Sequence, residues 1–415
     1  MRDILPEEQP YWEKFLKSAE DLAQDYGFQK IATPILEEAE LFIRGTGETT
    51  DIVTKQMYVF KTLSGRTLAL RPEFTPGIVR AYLENGLNNL SQPLKLFYFG
   101  PVFRYEQPQA GRARQFWQFG LETIGDKEAV LDAQIIQLCL KILKSAGLKK
   151  VNVQINSLGC AHCRPGFRRA LLDYYRRRKN KVCPDCQRRL KENPLRLLDC
   201  KEEKCQPVKF QAPSSVEYLC DECKTHFKNV LEFLDELEIP YFLDKNLVRG
   251  LDYYTKTIFE FLLEGEDKED AWALGGGGRY DNLIQNLGGK STPAVGVSLG
   301  IDRVVLAMKK EGVKVNPGYN PKVFLVQLGD RGKKKSLKLF EDLHEAGITA
   351  AESFSRDSIK AQLKIADRLG VKFALILGQQ EALDGTIIVR DMAAGSQEIV
   401  PQDKIVEEIK KRLKR

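Results

Sequence analysis

Eight of the nine cysteines fall between Cys160 and Cys223, and this crowding constrains the chain more than any other feature. They come as Cys160-x2-Cys163, Cys183-x2-Cys186 and Cys220-x2-Cys223, with a looser Cys200-x4-Cys205. A CxxC knuckle sets two thiolates at the spacing a tetrahedral metal needs. A secreted disulfide scaffold of this density would be shorter and led by an apolar signal segment. The opening MRDILPEEQP is acidic and polar instead. The cysteines therefore read as metal ligands in a reducing, cytoplasmic compartment. Four pairs could make two sites of four thiolates, or some pairs could be small buried residues without a metal, and spacing does not say which pairs share one. His162 and His226 are less favoured ligands, and Cys139, alone in an apolar helical pattern, reads as core.

The cysteine-rich stretch interrupts a longer pattern. Before it, Glu7–Tyr26 has an apolar face (Trp12, Phe15, Leu16, Ala19, Leu22, Ala23) at helical spacing, closed by Gly27. Short strand-like runs follow at Gln29–Thr33, Met57–Phe60, Thr67–Leu70, Lys95–Phe99 and Gln115–Thr123, with helices expected at Thr75–Asn85 and Glu128–Ala146. Strands without regular βαβ alternation imply an antiparallel sheet flanked by helices, an α+β layout. The pattern resumes at Thr257–Leu263 and Val295–Leu299, followed by a helix over Gly300–Lys310. Glu311–Pro321 reads as a linker. Beyond it, strands (Val323–Leu328, Phe373–Leu377, Thr386–Arg390) alternate with helices (Lys333–Glu345, Ser358–Leu369, Lys404–Arg415), which predicts an α/β domain with a mostly parallel sheet.

Composition excludes two classes. With 43% hydrophobic and 29% charged residues the chain is neither disordered nor built for a membrane, and no run of about 18 apolar residues occurs. The net charge of +7 fits a polyanionic partner without proving one. Basic runs (Arg164, Arg168, Arg169; Arg176 to Lys179; Arg188, Arg189, Lys191) lie among the cysteines.

Five clusters outside the cysteine stretch can carry chemistry. In Phe103-Arg104-Tyr105-Glu106, continued to Gln118, Arg104 can fork onto a phosphate and Glu106 can accept from an exocyclic amine. In Leu70-Arg71-Pro72-Glu73-Phe74-Thr75, Glu73 precedes a helix and can cap it or hold an ammonium group. Arg249-Gly250-Leu251-Asp252-Tyr253-Tyr254-Thr255 offers a cation with phenolic donors. Gly275–Gly278, before Arg279-Tyr280-Asp281, lets backbone approach a ligand closely, although alone it is as readily a turn. At Gly300, a strand meets a helix that carries Arg303 in its first turn, where anions are favoured. Singly, each also fits an ordinary hairpin edge or turn; together and in this order they form a signature.

With these residues the chain resembles the histidyl-tRNA synthetase family of class II aminoacyl-tRNA synthetases. The most specific segments are Arg249–Thr255, Gly276–Asp281 and Thr292–Gly296, together with Pro34, Phe103–Glu106 and Gly300–Arg303 for the three class II motifs. The resemblance implies an ATP-dependent ligase that joins L-histidine to histidine tRNA through a histidyl-adenylate. It implies a homodimer, permitted by the apolar segment Ile31–Leu36. It also implies an antiparallel catalytic sheet in two parts, 1–155 and 231–315, around an insertion at 156–230, and an anticodon-binding domain at 320–415.

Carried over by residue, the resemblance gives Arg104 the ATP α-phosphate, Glu106 the adenine end, Arg303 the ATP tail, and Arg112 the loop facing the γ-phosphate and acceptor stem. Glu73, Thr75, Gln118, Glu122, Tyr253, Tyr254 and Tyr280 form the histidine pocket. Arg249, like Arg104, is catalytic and sits over the reacting carboxylate and α-phosphate. Mg2+ is expected with ATP, and structural Zn2+ on the cysteines. The sequence departs from the family pattern at Gln56, Gln107, Trp117 and Gln134, none a charge assigned to the reaction. A regulatory relative without charging activity, or a synthetase for proline, threonine or glycine, fits less well. The arginine motif and the C-terminal domain argue against the first, and the RGLDYYT and GGGRYD segments against the second.

Overall fold

The computed structural model describes residues 2–106, 113–264, 272–316 and 318–414. The chain divides into two compact units, Met1–Val315 and Asn316–Arg415, so the break falls inside the Gly- and Pro-rich stretch expected to be a linker.

In the first unit the strands are β1 (Gln29–Lys30), β2 (Leu36–Glu38), β3 (Tyr58–Lys61), β4 (Thr67–Leu70), β5 (Leu94–Phe103), β6 (Gln115–Ile124), β7 (Val151–Ser157), β8 (Tyr241–Leu243), β9 (Thr255–Leu263), β10 (Trp272–Arg279) and β11 (Ala294–Gly300). Eight form one sheet, ordered β1-β5-β6-β11-β10-β9-β7-β8, while β2-β4-β3 make a small separate sheet. The six central strands are antiparallel throughout, with a parallel strand added at each edge.

The two faces of this sheet differ because side chains alternate along each strand. One face carries Phe97, Phe119, Leu121, Phe259, Phe261, Val295, Val297 and Leu299 into the main core. Trp12, Phe15 and Ala19 of the helix Gln9–Asp25 cover it. So do Ile135, Ile136 and Leu138 of the helix Val130–Ser145, and Val304 and Val305 of the helix Ile301–Lys310. Cys139 is fully buried here, as its helical pattern implied.

The register places the opposite face in rows. Leu96, Glu122, Gly296 and Gly278 lie side by side, and so do Tyr98, Gly120, Ser298, Gly276 and Glu260. Four of these nine are glycine, and that is what leaves room above the face. The glycine run, read from sequence as equally a turn or a place of close backbone approach, is the interior of β10. A strand interior ordinarily disfavours glycine, but close approach of other groups requires it here. A Cβ on Gly276 would stand 2.7 Å from Nη1 of Arg249.

In the second unit the strands are β12 (Val323–Gln327), β13 (Ala350–Glu352), β14 (Phe373–Leu377), β15 (Thr386–Asp391) and β16 (Gln397–Pro401), ordered β13-β12-β14-β15-β16. The β13-β12 and β12-β14 pairs are parallel, and β14-β15 and β15-β16 antiparallel. The expectation of a mostly parallel sheet is corrected to a mixed one. After β14 the chain turns back through hairpin-like connections instead of long crossover helices, and Gln397–Pro401 has too few apolar residues to read as a buried strand. Helices Gly329–Glu345, Ile359–Arg368 and Ile405–Lys414 accompany the sheet. Ser358 caps the second of them, its Oγ accepting from the Ala361 amide.

Candidate active site

A cavity of about 890 Å³ opens over the glycine-rich face of the large sheet, within the range of small-molecule sites. Glu73, Arg104, Glu106, Glu122, Arg249 and Arg303 all line it, so stretches far apart in sequence converge on one space. Thr75, Gln118, Tyr253, Tyr254 and Tyr280 line it too.

Two buried carboxyls form its acidic end. Glu122, on β6, faces Gly296 across the β6–β11 ladder. A Cβ there would stand 1.6 Å from the Glu122 Oε2, so only glycine leaves this carboxyl its place. Three hydroxyls donate to it: Tyr280 at 2.6 Å, Thr75 at 2.9 Å and Tyr98 at 3.2 Å. Burial nevertheless pushes the Glu122 carboxyl up to about 8, against the pull of those three hydroxyls. Glu73, placed just before the helix Thr75–Glu84, accepts from Thr46 Oγ1 at 2.5 Å and from the Tyr253 hydroxyl at 2.6 Å. Burial raises its pKa as well, opposed by those donors and by the charges of Arg104 and Arg249. Tyr253 packs against Tyr254 and Tyr280 with ring centroids 4.8 and 5.8 Å apart.

The cationic end holds Arg104, Arg249 and Arg303. Arg104 follows β5, donates from Nε to the Pro72 carbonyl at 2.9 Å and lies over the Phe116 ring. Burial lowers its pKa, with Glu73 and Glu106 opposing. Arg249 donates from Nη1 to Glu260 Oε1 at 2.9 Å. Burial would lower its pKa, but Glu260 and the two neighbouring tyrosines outweigh that and hold the guanidinium charged. Arg303 is anchored through Nη1 to the Ala273 carbonyl at 2.7 Å. Arg112 and Gln107 lie outside the described residues.

Sequence reasoning missed Thr46, Tyr98, Phe116 and Glu260. No local pattern marks them, and the strand register reveals two. Tyr98 pairs with Gly120, two residues from Glu122, and Glu260 pairs with Gly276. Large polar residues opposite glycines on a shared face belong to that face. Thr46 closes a short helix with nothing local to mark it.

Of the unusual residues, Trp117 packs edge-on against Trp12 at 6.0 Å. The Gln134 Oε1 accepts from Lys95 Nζ at 2.8 Å, and the Gln56 carbonyl accepts from the Tyr105 amide.

The eight clustered cysteines separate into two groups of four: Cys160, Cys163, Cys220 and Cys223, and Cys183, Cys186, Cys200 and Cys205. Within each, the sulfurs lie within 4.8 Å of one another. The separations Cys160–Cys163, Cys160–Cys220, Cys183–Cys200 and Cys186–Cys205 run from 3.7 to 3.9 Å. Four sulfurs at Zn–S bonds of about 2.3 Å in a tetrahedron would be about 3.8 Å apart. All eight are free thiols. Each group thus has a donor set and sulfur spacing that fit a tetrahedral metal site, and the fold brings the Cys160 pair to the Cys220 pair and the Cys183 pair to Cys200 and Cys205.

A central antiparallel sheet with this cavity on its open face, and a separate α/β unit after it, define a class II synthetase catalytic domain joined to an anticodon-binding domain. Comparison with known proteins agrees. The family model "Histidyl-tRNA synthetase" matches residues 1–182 and 188–304, and the model "Anticodon binding domain" matches 322–412. The chain is 45% identical over 411 residues to a histidine–tRNA ligase of Dehalococcoides mccartyi, covering 99% of this chain and 98% of that protein. It is 44% identical over 413 residues to one of a Geobacillus species, with the same coverages. The solved structure of apo histidyl-tRNA synthetase from S. aureus superposes with a TM-score of 0.79 at 36% identity, covering 98% and 97% of the two chains. The chain belongs to the histidyl-tRNA synthetase family.

Proposed function

We propose that this chain attaches L-histidine to histidine tRNA in two ATP-dependent steps. The observation that carries the reading is the shared cavity: two buried carboxyls held by phenolic hydroxyls, and three arginines, all line one space. Glu73 and Glu122 suit the ammonium and imidazole of histidine. Burial leaves each carboxyl ready to ionise against an incoming cation. Arg104 and Arg303 suit the phosphates of ATP, with Glu106 toward the adenine.

In the first step a histidine carboxylate oxygen attacks the α-phosphorus in line. The bond to the bridging oxygen breaks, pyrophosphate leaves, and histidyl-adenylate forms. In the second, a terminal ribose hydroxyl of the tRNA attacks the adenylate carbonyl and AMP leaves. The protein supplies no nucleophile. Arg249 and Arg104, fixed before reaction by Glu260 and the Pro72 carbonyl, place positive charge where negative charge builds. Hard oxygen donors line the cavity, Glu106 and Glu260 among them, and magnesium takes oxygen ligands with several from phosphate. The ion would come in on the triphosphate and neutralise the departing pyrophosphate.

The two cysteine groups suit structural zinc, since four thiolates close the coordination sphere. Residues 156–230 would then be an inserted zinc-binding domain between catalytic parts 1–155 and 231–315, with the anticodon-binding domain at 320–415. A homodimer is supported by Ile35, Leu36, Val59 and Phe60, apolar side chains left exposed on and beside the small sheet. No helix among the described residues is long and apolar enough to cross a membrane; with the free thiols, a cytoplasmic location is proposed.

Pyrophosphate exchange measured across the twenty amino acids tests the activity. Exchange with histidine alone is expected, and its absence would overturn the reading.

A further inference from the structure

The cysteine group Cys183, Cys186, Cys200 and Cys205 is not remote from the cavity: Cys183 and Cys200 lie on its rim. Between them run a short helix, Pro184–Glu192, and two turns of 3-10 helix, Pro194–Asp199. Three side chains of this segment reach across to the catalytic part. Arg196 Nη2 stands 3.2 Å and Arg189 Nη2 3.5 Å from Asp51 Oδ2. Asn193 donates from Nδ2 to Asp252 Oδ1 at 2.9 Å.

Asp51 and Asp252 belong to two loops that hold each other and the pocket. Thr49 Oγ1 donates to Asp252 Oδ2 at 3.3 Å, and the Asp252 amide donates to the Thr46 carbonyl at 3.1 Å. Thr46 Oγ1 in turn donates to Glu73. Tyr253, next to Asp252, holds the other oxygen of the same carboxyl. A continuous path of polar contacts therefore runs from the segment between the cysteines to a buried carboxyl of the pocket.

We propose that the chain carries two separate tetrathiolate zinc sites and that the one built by Cys183, Cys186, Cys200 and Cys205 is a positioning site for the pocket. The metal closes segment 184–199 into a rigid brace, and Arg189, Asn193 and Arg196 fix the loops bearing Asp51 and Asp252. The physical reason is that this segment is short and mostly polar. Its buried side chains Leu190, Leu197 and Leu198 share with Phe167, Leu171 and Tyr175 a cluster of twelve buried residues that is separate from the main core. A small domain of this kind depends on a metal for its shape. The other group, Cys160, Cys163, Cys220 and Cys223, joins the end of β7 to the start of the helix Asp221–Glu236 and does not line the cavity. The two sites thus have different tasks.

This inference rests on reading the thiol groups as zinc sites and is tested apart from histidine activation. Elemental analysis of the full-length protein, purified without chelator, is expected to find two zinc ions per chain. The double variant Cys200→Ser/Cys205→Ser is expected to retain one. Hydrogen exchange of residues 46–52 and 249–254 is expected to quicken by about tenfold in that variant, as local opening becomes easier. Arg196→Ala keeps both zinc ions and is expected to speed the same amides and raise the KM for histidine more than it lowers kcat. Fewer than two zinc ions in the unaltered protein overturns the two-site assignment. Should the double variant fail to fold, Arg196→Ala decides the coupling, and unchanged exchange there overturns it. Both measurements hold whatever the pyrophosphate exchange assay returns, so a failure of the activity reading stays distinguishable.

Discussion

Three hydroxyls enclose the Glu122 carboxyl, yet its pKa of about 8 lies above the ordinary value of 4.5. The folded state therefore keeps a proton that the unfolded chain has released. Its contribution to stability is complete below about pH 4.5 and is lost as the pH rises through about 8, at a slope of at most about 1.4 kcal/mol per pH unit. Glu73 adds to the same trend, its pKa also being raised by burial. Glu122→Gln is expected to flatten the dependence of unfolding free energy on pH by close to one proton. Urea denaturation at pH 6, 7 and 8 measures this, and an unaltered slope would show that the group does not hold the proton. Arg249 acts at the same scale. Arg249→Ala is expected to keep histidine affinity roughly intact while adenylation slows by about 10²- to 10³-fold, as for a lost oxyanion donor. Single-turnover adenylation with saturating histidine reads it; a rate equal to the parent's removes the role assigned here. Glu73, Glu122, Arg104 and Arg249 were legible in the sequence through motif resemblance. Tyr98, Thr46 and Glu260 were not, because a tyrosine in an apolar strand, a threonine ending a helix and a glutamate in a strand look ordinary until their neighbours are known.

Strands β10 and β11 shape the site through their backbone: Gly275, Gly276, Gly296 and Gly300 line the cavity. Their glycines contribute no side chains, and the cavity exists because of that. Gly296→Ala sets a methyl 1.6 Å from the Glu122 Oε2, so the carboxyl must move or the strands must part. Overpacking of this kind costs roughly 1–3 kcal/mol. The variant is expected to melt earlier and to bind histidine more than about tenfold more weakly, with an unchanged far-UV spectrum. Calorimetry of binding checks it, and wild-type affinity would mean that Glu122 is not held where the geometry puts it. Helices were the most legible elements: the spacing predicts Glu7–Tyr26 and the structure has Gln9–Asp25. The glycine run was the least legible, since a local reading of Gly275–Gly278 gives equally a turn or a close backbone approach, and only pairing with β9 and β11 makes it a strand.

For the whole molecule, the two units have separate cores. Phe97, Phe119 and their neighbours fill one, while Val323, Leu325, Leu375 and Ile405 fill another on the mixed sheet of the second. Every residue lining the cavity belongs to Met1–Val315. A fragment ending at residue 315 is therefore expected to retain histidine-dependent pyrophosphate exchange while charging tRNA at least about tenfold less well, provided the second unit supplies anticodon contacts worth one or two kcal/mol or more. Exchange and charging assayed side by side would show it, and charging at the full rate would deny the second unit a part in tRNA recognition. The main helices, the strands Leu94–Phe103, Gln115–Ile124, Thr255–Leu263 and Val323–Gln327 in outline, the cysteine knuckles and the motif residues follow from the chain alone, because periodicity, turn chemistry and spacing are local properties written residue by residue. Which cysteines gather into a group, that the glycine run is a strand, that the second sheet is mixed, and that Arg189, Asn193 and Arg196 reach Asp51 and Asp252 were decided only by tertiary structure, because each depends on contacts between residues far apart in sequence, which no local pattern encodes.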